Sequence, residues 1–566
     1  MPFAVLNPSV HCLRLSDRIF RNGIAIYLVV IVIAILSLGA FALFTIISTE
    51  RHATLIRGDE IQVRAAAESG VEFVRSVCAM SESEQVRLGG IENNPKIFAG
   101  IEVRTVSNLP QKGSFRFTVL SPNIADGKLL GIRYGLQNES AKLHLETVLQ
   151  WELERPGLGR QALLALPGMY PGAADSILDW LDADAVSRLS GAELGYYRQI
   201  GAPYGPRNAI PVRLEELLLV RDVTRSLLFG TDANFSFGFS PSSPNRSEVT
   251  LQSSGSGSAS AFSIPEIPVA SPDMPEATPL MEDEFPLTET LVPSLPEIAA
   301  ESVAASPVSS PASVSSATGN LPWMYYLTTL AAEKEVNPQG IAKYDLNESN
   351  LEFLQTQIRQ TVDEQAAEFI LQVRQNGSLE TPIDLLTVAD PTRSNPFDLK
   401  SSGGKDRFYK LLDYGTTNRD VVISGRININ EAPGEVLRAI PELTDDLVSR
   451  ILSRRRSLAA SPQRTDLRHP VWLLAEGLVD LSQMQALWKR ITAAGSVYRC
   501  QVIGFVDGQG TASRFEVVVD ATVMPPRQVF FKDLTMYERG FPITILKPEA
   551  GGQSATNQVR SVGSGL

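Results

Sequence analysis

The sequence is poor in the residues that build most metal and nucleophile sites. Its 566 residues include only three cysteines and four histidines. Neither set falls in the C-x-x-C or H-E-x-x-H spacing of common zinc sites, and three cysteines exclude a disulfide-rich scaffold. No paired-carboxylate cleft, glycine-rich phosphate loop or nucleophile elbow is recognisable. We therefore expect that the protein is not an enzyme.

Positive charge is also scarce. The chain has 51 Lys and Arg against 63 Asp and Glu, a formal net charge of −12, which disfavours binding to polyanions. From Ser247 to Glu333 Lys and Arg are missing altogether, and Ser, Pro, Ala and Glu dominate. Such a segment buries too little apolar surface to offset its ordering entropy. We predict a disordered acidic linker over residues 231–320.

The longest stretch without a charged residue runs from Gly23 to Thr49. About 20 apolar residues span the hydrocarbon core of a bilayer, so this stretch is long enough. Residues 14–22 hold three arginines and one aspartate, which predicts a cytoplasmic N-terminus and an extracytoplasmic remainder. We predict a single transmembrane helix over 24–49. The alternative is a cleaved signal peptide, whose apolar region would run only about 7–15 residues.

The helix is predicted to continue beyond the bilayer. Residues 50–80 contain no proline, and small or apolar residues recur at the i, i+4, i+7, i+11 spacing of one helical face. We expect this face to pack on a soluble domain. Its members are Ala67, Val71, Val74 and Cys78.

Alternating apolar and polar residues predict strands at both ends of the remaining chain, near 101–119, 498–502 and 515–519. The C-terminal hairpin would complete the sheet begun near residue 101. Cys78 and Cys500 would then both lie near the interface of helix and sheet. Either a disulfide, outside the cytoplasm, or two buried free thiols would fit there.

Two helical regions, 143–230 and 321–495, contain three units that look internally repeated. Each is predicted as a short helix, a tight turn and a helix opened by an acidic or capping residue. The units resemble helix-hairpin-helix motifs. They begin at Leu163, Leu346 and Ile427.

The N-terminal segment resembles the type IV pilin and pseudopilin family. Those proteins have a basic leader ending in Gly and then a long apolar helix, as in Arg21-Asn22-Gly23 followed by Ile24. The resemblance implies cleavage after Gly23 by a prepilin peptidase and methylation of Ile24. Most members carry Glu four residues beyond the new terminus, where this chain has Leu28. One pseudopilin class, protein K of type II secretion systems, commonly lacks that Glu.

The helical regions are similar to the protein K family in several blocks that follow the family order. The resemblance implies an α+β fold: an N-terminal transmembrane and stalk helix on a pilin-like antiparallel sheet, with a large inserted α-helical region of helix-hairpin-helix or SAM-like units. The matching blocks are 166–168, 177–184, 191–193, 214–220 and 427–433.

Composition and resemblance together divide the chain into eight segments. Two features depart from the family pattern: the long linker and an extra helical unit near 343–390. The segments are a cytoplasmic leader 1–23, the transmembrane helix 24–49, the stalk helix and first strands 50–142, a first helical domain 143–230, the linker 231–320, a second helical domain 321–495, C-terminal strands 496–546 and a flexible tail 547–566.

A cluster of acidic residues is the candidate metal site. Asp179, Asp182, Asp184 and Glu193 offer the oxygen ligands that calcium prefers, and Asp182 and Asp184 stand two apart on a predicted loop. The resemblance to protein K also implies calcium near this loop. However, Ala185 and Val186 stand where the family often has polar residues, so a solvated acidic helix end is the alternative. We expect no other cofactor.

The resemblance implies a minor pseudopilin at the tip of the periplasmic pseudopilus, which takes part in pseudopilus initiation and protein export. Its expected partners are the other minor pseudopilins, the major pseudopilin, prepilin peptidase and the bacterial inner membrane. The alternative is a membrane-anchored DNA receptor, because helix-hairpin-helix units often grip phosphates through glycine turns. Only the first unit has such glycines, Gly168 and Gly172, and acidic residues follow them. We therefore expect no nucleic-acid binding.

Overall fold

The computed structural model describes residues 16–103, 114–125, 127–230, 232, 235–237, 321–388, 394–459, 467–507 and 510–548, with the backbone alone at 16–25, 125 and 459. The predicted leader up to residue 15, nearly all of the predicted linker and the tail after residue 548 lie outside this set. All described residues belong to one compact unit, formed by residues 1–242 and 320–566.

The first element is a single uninterrupted helix, α1 (Ser16–Ala79), of 64 residues. At 1.5 Å per residue it is about 96 Å long. Its described part from Ile26 onward is long and apolar enough to cross a membrane, and the apolar side chains between Ile26 and Ile47 are exposed, as lipid-facing side chains would be. Its outer half turns one face inward, and the four predicted stripe residues are all buried: Ala67, Val71, Val74 and Cys78.

The outer half of α1 packs on a seven-stranded antiparallel sheet with the order β1-β2-β13-β14-β15, in which β3 also pairs with β2 and β4 with β13. β13 pairs with β2, so that Val502 lies opposite Val119. The prediction that the C-terminal hairpin completes the sheet is therefore confirmed. The strands are β1 (Ile101–Glu102), β2 (Phe115–Ala125), β3 (Lys128–Tyr134), β4 (Gln137–Asn138), β13 (Val497–Val506), β14 (Ala512–Asp520) and β15 (Arg527–Asp533).

Cys78 and Cys500 lie in the apolar cluster between α1 and the sheet. Both are buried free thiols, which is the second of the two alternatives considered from the sequence. Burial raises the pKa of the Cys78 thiol to about 12, because an apolar environment disfavours the charged thiolate.

Short helices are the main regular elements in the rest of the described chain. Near the start of the sheet lie α2 (Glu82–Arg87) and α3 (Pro95–Phe98). The first helical region holds α4 (Leu145–Glu154), α5 (Leu158–Leu164), α6 (Pro171–Leu181), α7 (Leu194–Gln199) and α8 (Arg225–Phe229). The second holds α9 (Leu351–Thr361), α10 (Glu364–Gln375), α11 (Ser402–Tyr414), α12 (Gly434–Ala439), α13 (Asp445–Ala459), α14 (Trp472–Ala475) and α15 (Leu481–Trp488); α16 (Ile543–Leu546) follows the sheet.

Short strands interrupt the regions that were predicted as helical. Leu143–His144, predicted to open the first helical domain, is instead a strand, and so is Ile427–Asn428 at the start of the third repeated unit. All four strand pairs described in these regions join segments more than 60 residues apart, which local periodicity cannot reveal. These strands are β5 (Leu143–His144), β6 (Leu327–Thr328), β7 (Ala332–Lys334), β8 (Tyr344–Asp345), β9 (Gly415–Thr416), β10 (Val422–Ser424), β11 (Ile427–Asn428) and β12 (Ile491–Thr492).

The two helical regions share one hydrophobic core. A single buried cluster runs from Leu143 to Ile491 and includes Trp180, Trp323 and Trp472. The Trp323 indole N–H donates to the carbonyl of Pro167 at 3.0 Å, and β5 pairs in parallel with β6. The residues on either side of the predicted linker are therefore parts of one helical body. The assignment of its units as helix-hairpin-helix motifs remains a prediction.

A buried ion network holds the helical body on the sheet. Glu139 is completely buried, and its Oε1 accepts hydrogen bonds from Arg499 Nε at 2.7 Å and from Lys142 Nζ at 2.9 Å. Burial opposes ionisation of Glu139, but the charges of Arg499 and Lys142 outweigh burial and hold its pKa at about 2. The carboxylate thus stays charged and paired at neutral pH.

Candidate metal centre

The candidate metal centre is built at the end of helix α6. Pro171 stands at the first helical position, where the missing N–H is no loss and the fixed φ suits the helix. The helix ends at Leu181, and Asp182 follows in an extended conformation. The chain then runs as a loop to Glu193, directly before α7. The helix end and the loop therefore carry all four predicted ligands.

Asp179 is set apart because both of its carboxylate oxygens already accept hydrogen bonds from the loop. It is fully buried and accepts from the Arg188 backbone N–H at 3.2 Å, from Arg188 Nη1 at 2.7 Å and from Ser187 Oγ at 3.4 Å. A Cβ added to Gly191 would lie 2.0 Å from Asp179 Oδ2. Asp179 is thus held as part of the frame of the loop.

The structure brings the other three acidic residues together. One carboxylate oxygen from each of Asp182, Asp184 and Glu193 lies within 4.8 Å of the others. Asp182 is 5% exposed and Glu193 is 7% exposed. Among the residues that the structure describes, Asp182 Oδ1 and Glu193 Oε1 have no hydrogen-bond partner. A buried oxygen without a donor is unfavourable. These three carboxylates therefore fit a hard cation such as calcium, which binds oxygen ligands.

The electrostatics of the cluster match this geometry. Burial and, next in size, the nearby charge of Asp179 together raise the pKa of Glu193 to about 6. Burial likewise raises the pKa of Asp182, although Arg188 opposes the shift. A bound divalent cation would favour the charged forms of these groups, because an opposite charge at short range lowers a carboxyl pKa.

Sequence reasoning missed Arg188. Its Nη1 lies 2.7 Å from Asp179 Oδ1 and 2.5 Å from Asp182 Oδ2, so that one guanidinium nitrogen bridges two of the predicted ligands. The spacing in the sequence offered no signal for this contact, since Arg188 lies on an irregular loop whose side-chain directions follow no period.

Residues from outside the loop hold it in place. Asn208 donates its backbone N–H to the carbonyl of Trp180 at 3.0 Å, and the Trp180 ring packs edge to face against Tyr197 at 5.6 Å. Arg221 Nη1 donates to the carbonyl of Gly191 at 3.0 Å. The loop that carries the acidic cluster is therefore held by hydrogen bonds next to packed aromatic side chains.

The residues predicted for processing lie elsewhere in the chain. The backbone of Gly23 and Ile24 is helical within α1, and only the backbone is described at these positions. Leu28 is exposed in the apolar half of α1. Their predicted roles remain predictions.

One comparison with known protein families concerns the part of the chain that holds the acidic loop. Residues 159–229 match the family model described as type II secretion system (T2SS), protein K. This segment is a protein K domain. The matched residues run from helix α5 to helix α8 and contain the whole acidic cluster together with Arg188. No curated protein matches the sequence closely enough to count as a relative.

The protein K match supports a role in type II secretion, and a component of such a system is expected to work with its other parts. The match covers the predicted blocks at 166–168, 177–184, 191–193 and 214–220, but not the block at 427–433. Nothing in the comparisons supports the DNA-receptor alternative.

Proposed function

We propose that the protein is a minor pseudopilin at the tip of the periplasmic pseudopilus, with a structural role in its initiation and in protein export. The observation that carries the proposal is the protein K domain at residues 159–229, joined to an antiparallel sheet and a continuous helix of 64 residues. The exposed apolar half of that helix would anchor the protein and the packed half would carry the domain.

The proposed orientation places the N-terminus in the cytoplasm and the bulk of the chain in the periplasm. The three arginines in residues 14–22 favour this orientation, because positive charge close to a span is retained on the cytoplasmic side. The location follows as the bacterial inner membrane, crossed once.

Leu28 supports the position at the tip. In ordinary pilins a Glu at this position is thought to neutralise the N-terminal amine of the neighbouring subunit. An unpaired charge in the membrane costs several kcal/mol, so a subunit with Leu28 is unsuited to the interior of the filament. The top of the filament is the place where no upper neighbour needs that acceptor. The large helical body would also hinder a further subunit from stacking above.

We expect the protein to be required for secretion and to localise to one end of the pseudopilus. Deleting its gene should stop export, and the wild-type chain should restore it. Gold labelling of an epitope-tagged chain on sheared pseudopili should then mark one end, and co-purification should recover other minor pseudopilins. Label spread along the whole filament would contradict the proposed position.

Processing is expected after Gly23. When the full chain is produced together with prepilin peptidase, mass spectrometry should find N-methylated Ile24 as the mature terminus. Gly23→Leu should block cleavage, because only glycine lets the backbone approach a protease without a Cβ. Gly39→Ala in the same helix is the control, since no atom lies within 4 Å of the added Cβ. An intact Met1 in membranes that contain active peptidase would rule this step out.

We also propose that Asp182, Asp184 and Glu193 bind calcium. If calcium binds only the folded chain, the free energy of unfolding should rise by about 2.7 kcal/mol at a hundred times Kd. Extracytoplasmic sites often have Kd near 10⁻⁴–10⁻³ M, so this full rise requires about 10–100 mM calcium and a smaller rise is expected at about 1–10 mM. The full chain in detergent should melt at a higher temperature in calcium than in chelator.

The double variant Asp182→Asn with Asp184→Asn should lose this calcium-dependent shift. Asp406→Asn, an exposed aspartate on helix α11, is the control and should keep it. If wild type and double variant respond alike to calcium and to chelator, the three carboxylates do not form a calcium site.

A further inference from the structure

We propose that Arg188 is an internal counter-ion that holds the acidic loop in shape without a metal and lowers its affinity for divalent cations. This inference rests on the proposed calcium site. It assigns to one residue of this chain the control of how strongly the site depends on calcium.

The contacts of Arg188 place its charge inside the acidic cluster. Its Nη1 lies 2.7 Å from Asp179 Oδ1 and 2.5 Å from Asp182 Oδ2, and its Nη2 lies 3.9 Å from Glu152 Oε1. The Arg188 side chain is 23% exposed, whereas that of Asp179 is 0% exposed. The guanidinium is therefore an interior partner of Asp179.

Arg188 lowers the attraction that a cation would feel. Asp179, Asp182, Asp184 and Glu193 carry four negative charges when ionised, and Arg188 reduces the sum to three. Coulomb attraction scales with charge, so a divalent cation is held less strongly than it would be by the carboxylates alone.

Arg188 also reduces the number of ligand atoms. Asp182 Oδ2 accepts a hydrogen bond from the guanidinium, while Asp182 Oδ1 has no partner within the described part of the chain. Calcium is bound by six to eight oxygen ligands, and a carboxylate often contributes both of its oxygens. With Arg188 in place, Asp182 can offer one oxygen freely. Arg188 also stabilises the cation-free loop, because the buried charge of Asp179 keeps a partner of opposite charge.

The test compares charge-removing and charge-keeping variants of the full chain in detergent. Calcium chloride is titrated by calorimetry into wild type, Arg188→Gln, Arg188→Lys and Arg198→Gln, the last being an exposed arginine on helix α7. We expect Arg188→Gln to bind calcium about tenfold more tightly or better. We expect Arg188→Lys, which keeps the charge, and Arg198→Gln to bind like wild type.

Thermal melting provides the second readout. In chelator Arg188→Gln should melt below wild type, and millimolar calcium should close most of that gap. If Arg188→Gln is unfolded in chelator, its Kd is taken from the dependence of its free energy of unfolding on calcium concentration. A Kd at or above that of wild type would overturn the inference.

Three further outcomes separate this inference from the proposals beneath it. Equal affinity of Arg188→Gln and wild type overturns the role of Arg188 and leaves the calcium site standing. Tight binding by Arg188→Lys as well overturns the charge argument. Absence of calcium binding by every variant up to about 10 mM calcium, ten times the weakest ordinary extracytoplasmic Kd, overturns the calcium site and with it this inference. The pseudopilin role is tested separately, by processing and localisation.

Discussion

Gly504→Ala is expected to separate the stalk helix from the sheet and to destabilise the protein by about 3 kcal/mol or more. Gly504 lies on β13, facing α1. A Cβ added there would lie 2.1 Å from the carbonyl oxygen of Val63 and 2.6 Å from the backbone nitrogen of Ala67. Backbone atoms of a helix cannot move aside singly, so the whole segment of α1 would have to shift. The apolar contacts around Val502 would then be loosened.

Chemical unfolding of the full chain in detergent measures this effect. Gly510→Ala is the matched control, because it lies on the same hairpin and no atom lies within 4 Å of the added Cβ. We expect the control to unfold like wild type and the Gly504 variant to unfold at clearly lower denaturant. Equal stability of the two variants would mean that α1 does not pack this closely on β13.

Gly191→Ala is expected to break the frame of the acidic loop. The added Cβ would lie 2.0 Å from Asp179 Oδ2 and 2.7 Å from its Cγ, so the Asp179 carboxylate must leave its position. It would lose its contacts with the Arg188 backbone and guanidinium. Breaking a buried ion pair costs about 3–5 kcal/mol. Because Arg188 is partly exposed, we expect the free energy of unfolding to fall by an amount near the lower end of that range.

Gly195→Ala, four residues further on in α7, is the control for this prediction. No atom lies within 4 Å of its added Cβ, and alanine in place of glycine favours a helix by up to about 1 kcal/mol. Thermal melting should therefore show opposite shifts for the two variants. If Gly191→Ala melts like wild type, the Asp179 carboxylate does not occupy the position described. Calcium titration of the same variants should show weaker binding for Gly191→Ala alone.

Residue patterns in the sequence were sufficient to predict the frame of the molecule. A charge-free run from Gly23 to Thr49 and a buried stripe from Ala67 to Cys78 identified one long helix, because helical periodicity is a local property of the chain. Alternation near residues 101–119 and 498–519 identified the strands for the same reason. We could also predict that these N-terminal and C-terminal strands join in one antiparallel sheet, since strands with unpaired edges favour pairing with each other.

The tertiary structure alone decided how distant residues meet. Trp180, Trp323 and Trp472 enter one hydrophobic core, and strands such as β5 and β11 pair with partners far along the chain. Neither fact could be inferred from the sequence, because such contacts depend on three-dimensional packing and leave no local period.

The acidic loop shows most clearly which features the sequence predicts and which depend on tertiary structure. Its carboxylates could be recognised from residue type and spacing, since oxygen ligands for calcium come from a small set of side chains. Which carboxylates converge could not be recognised, because an irregular loop has no fixed side-chain direction. Only the folded structure turns Asp179 toward Arg188 and leaves Asp182, Asp184 and Glu193 facing one another. Sequence thus determined which chemistry is present, and tertiary packing decided which of its atoms remain available to a cation.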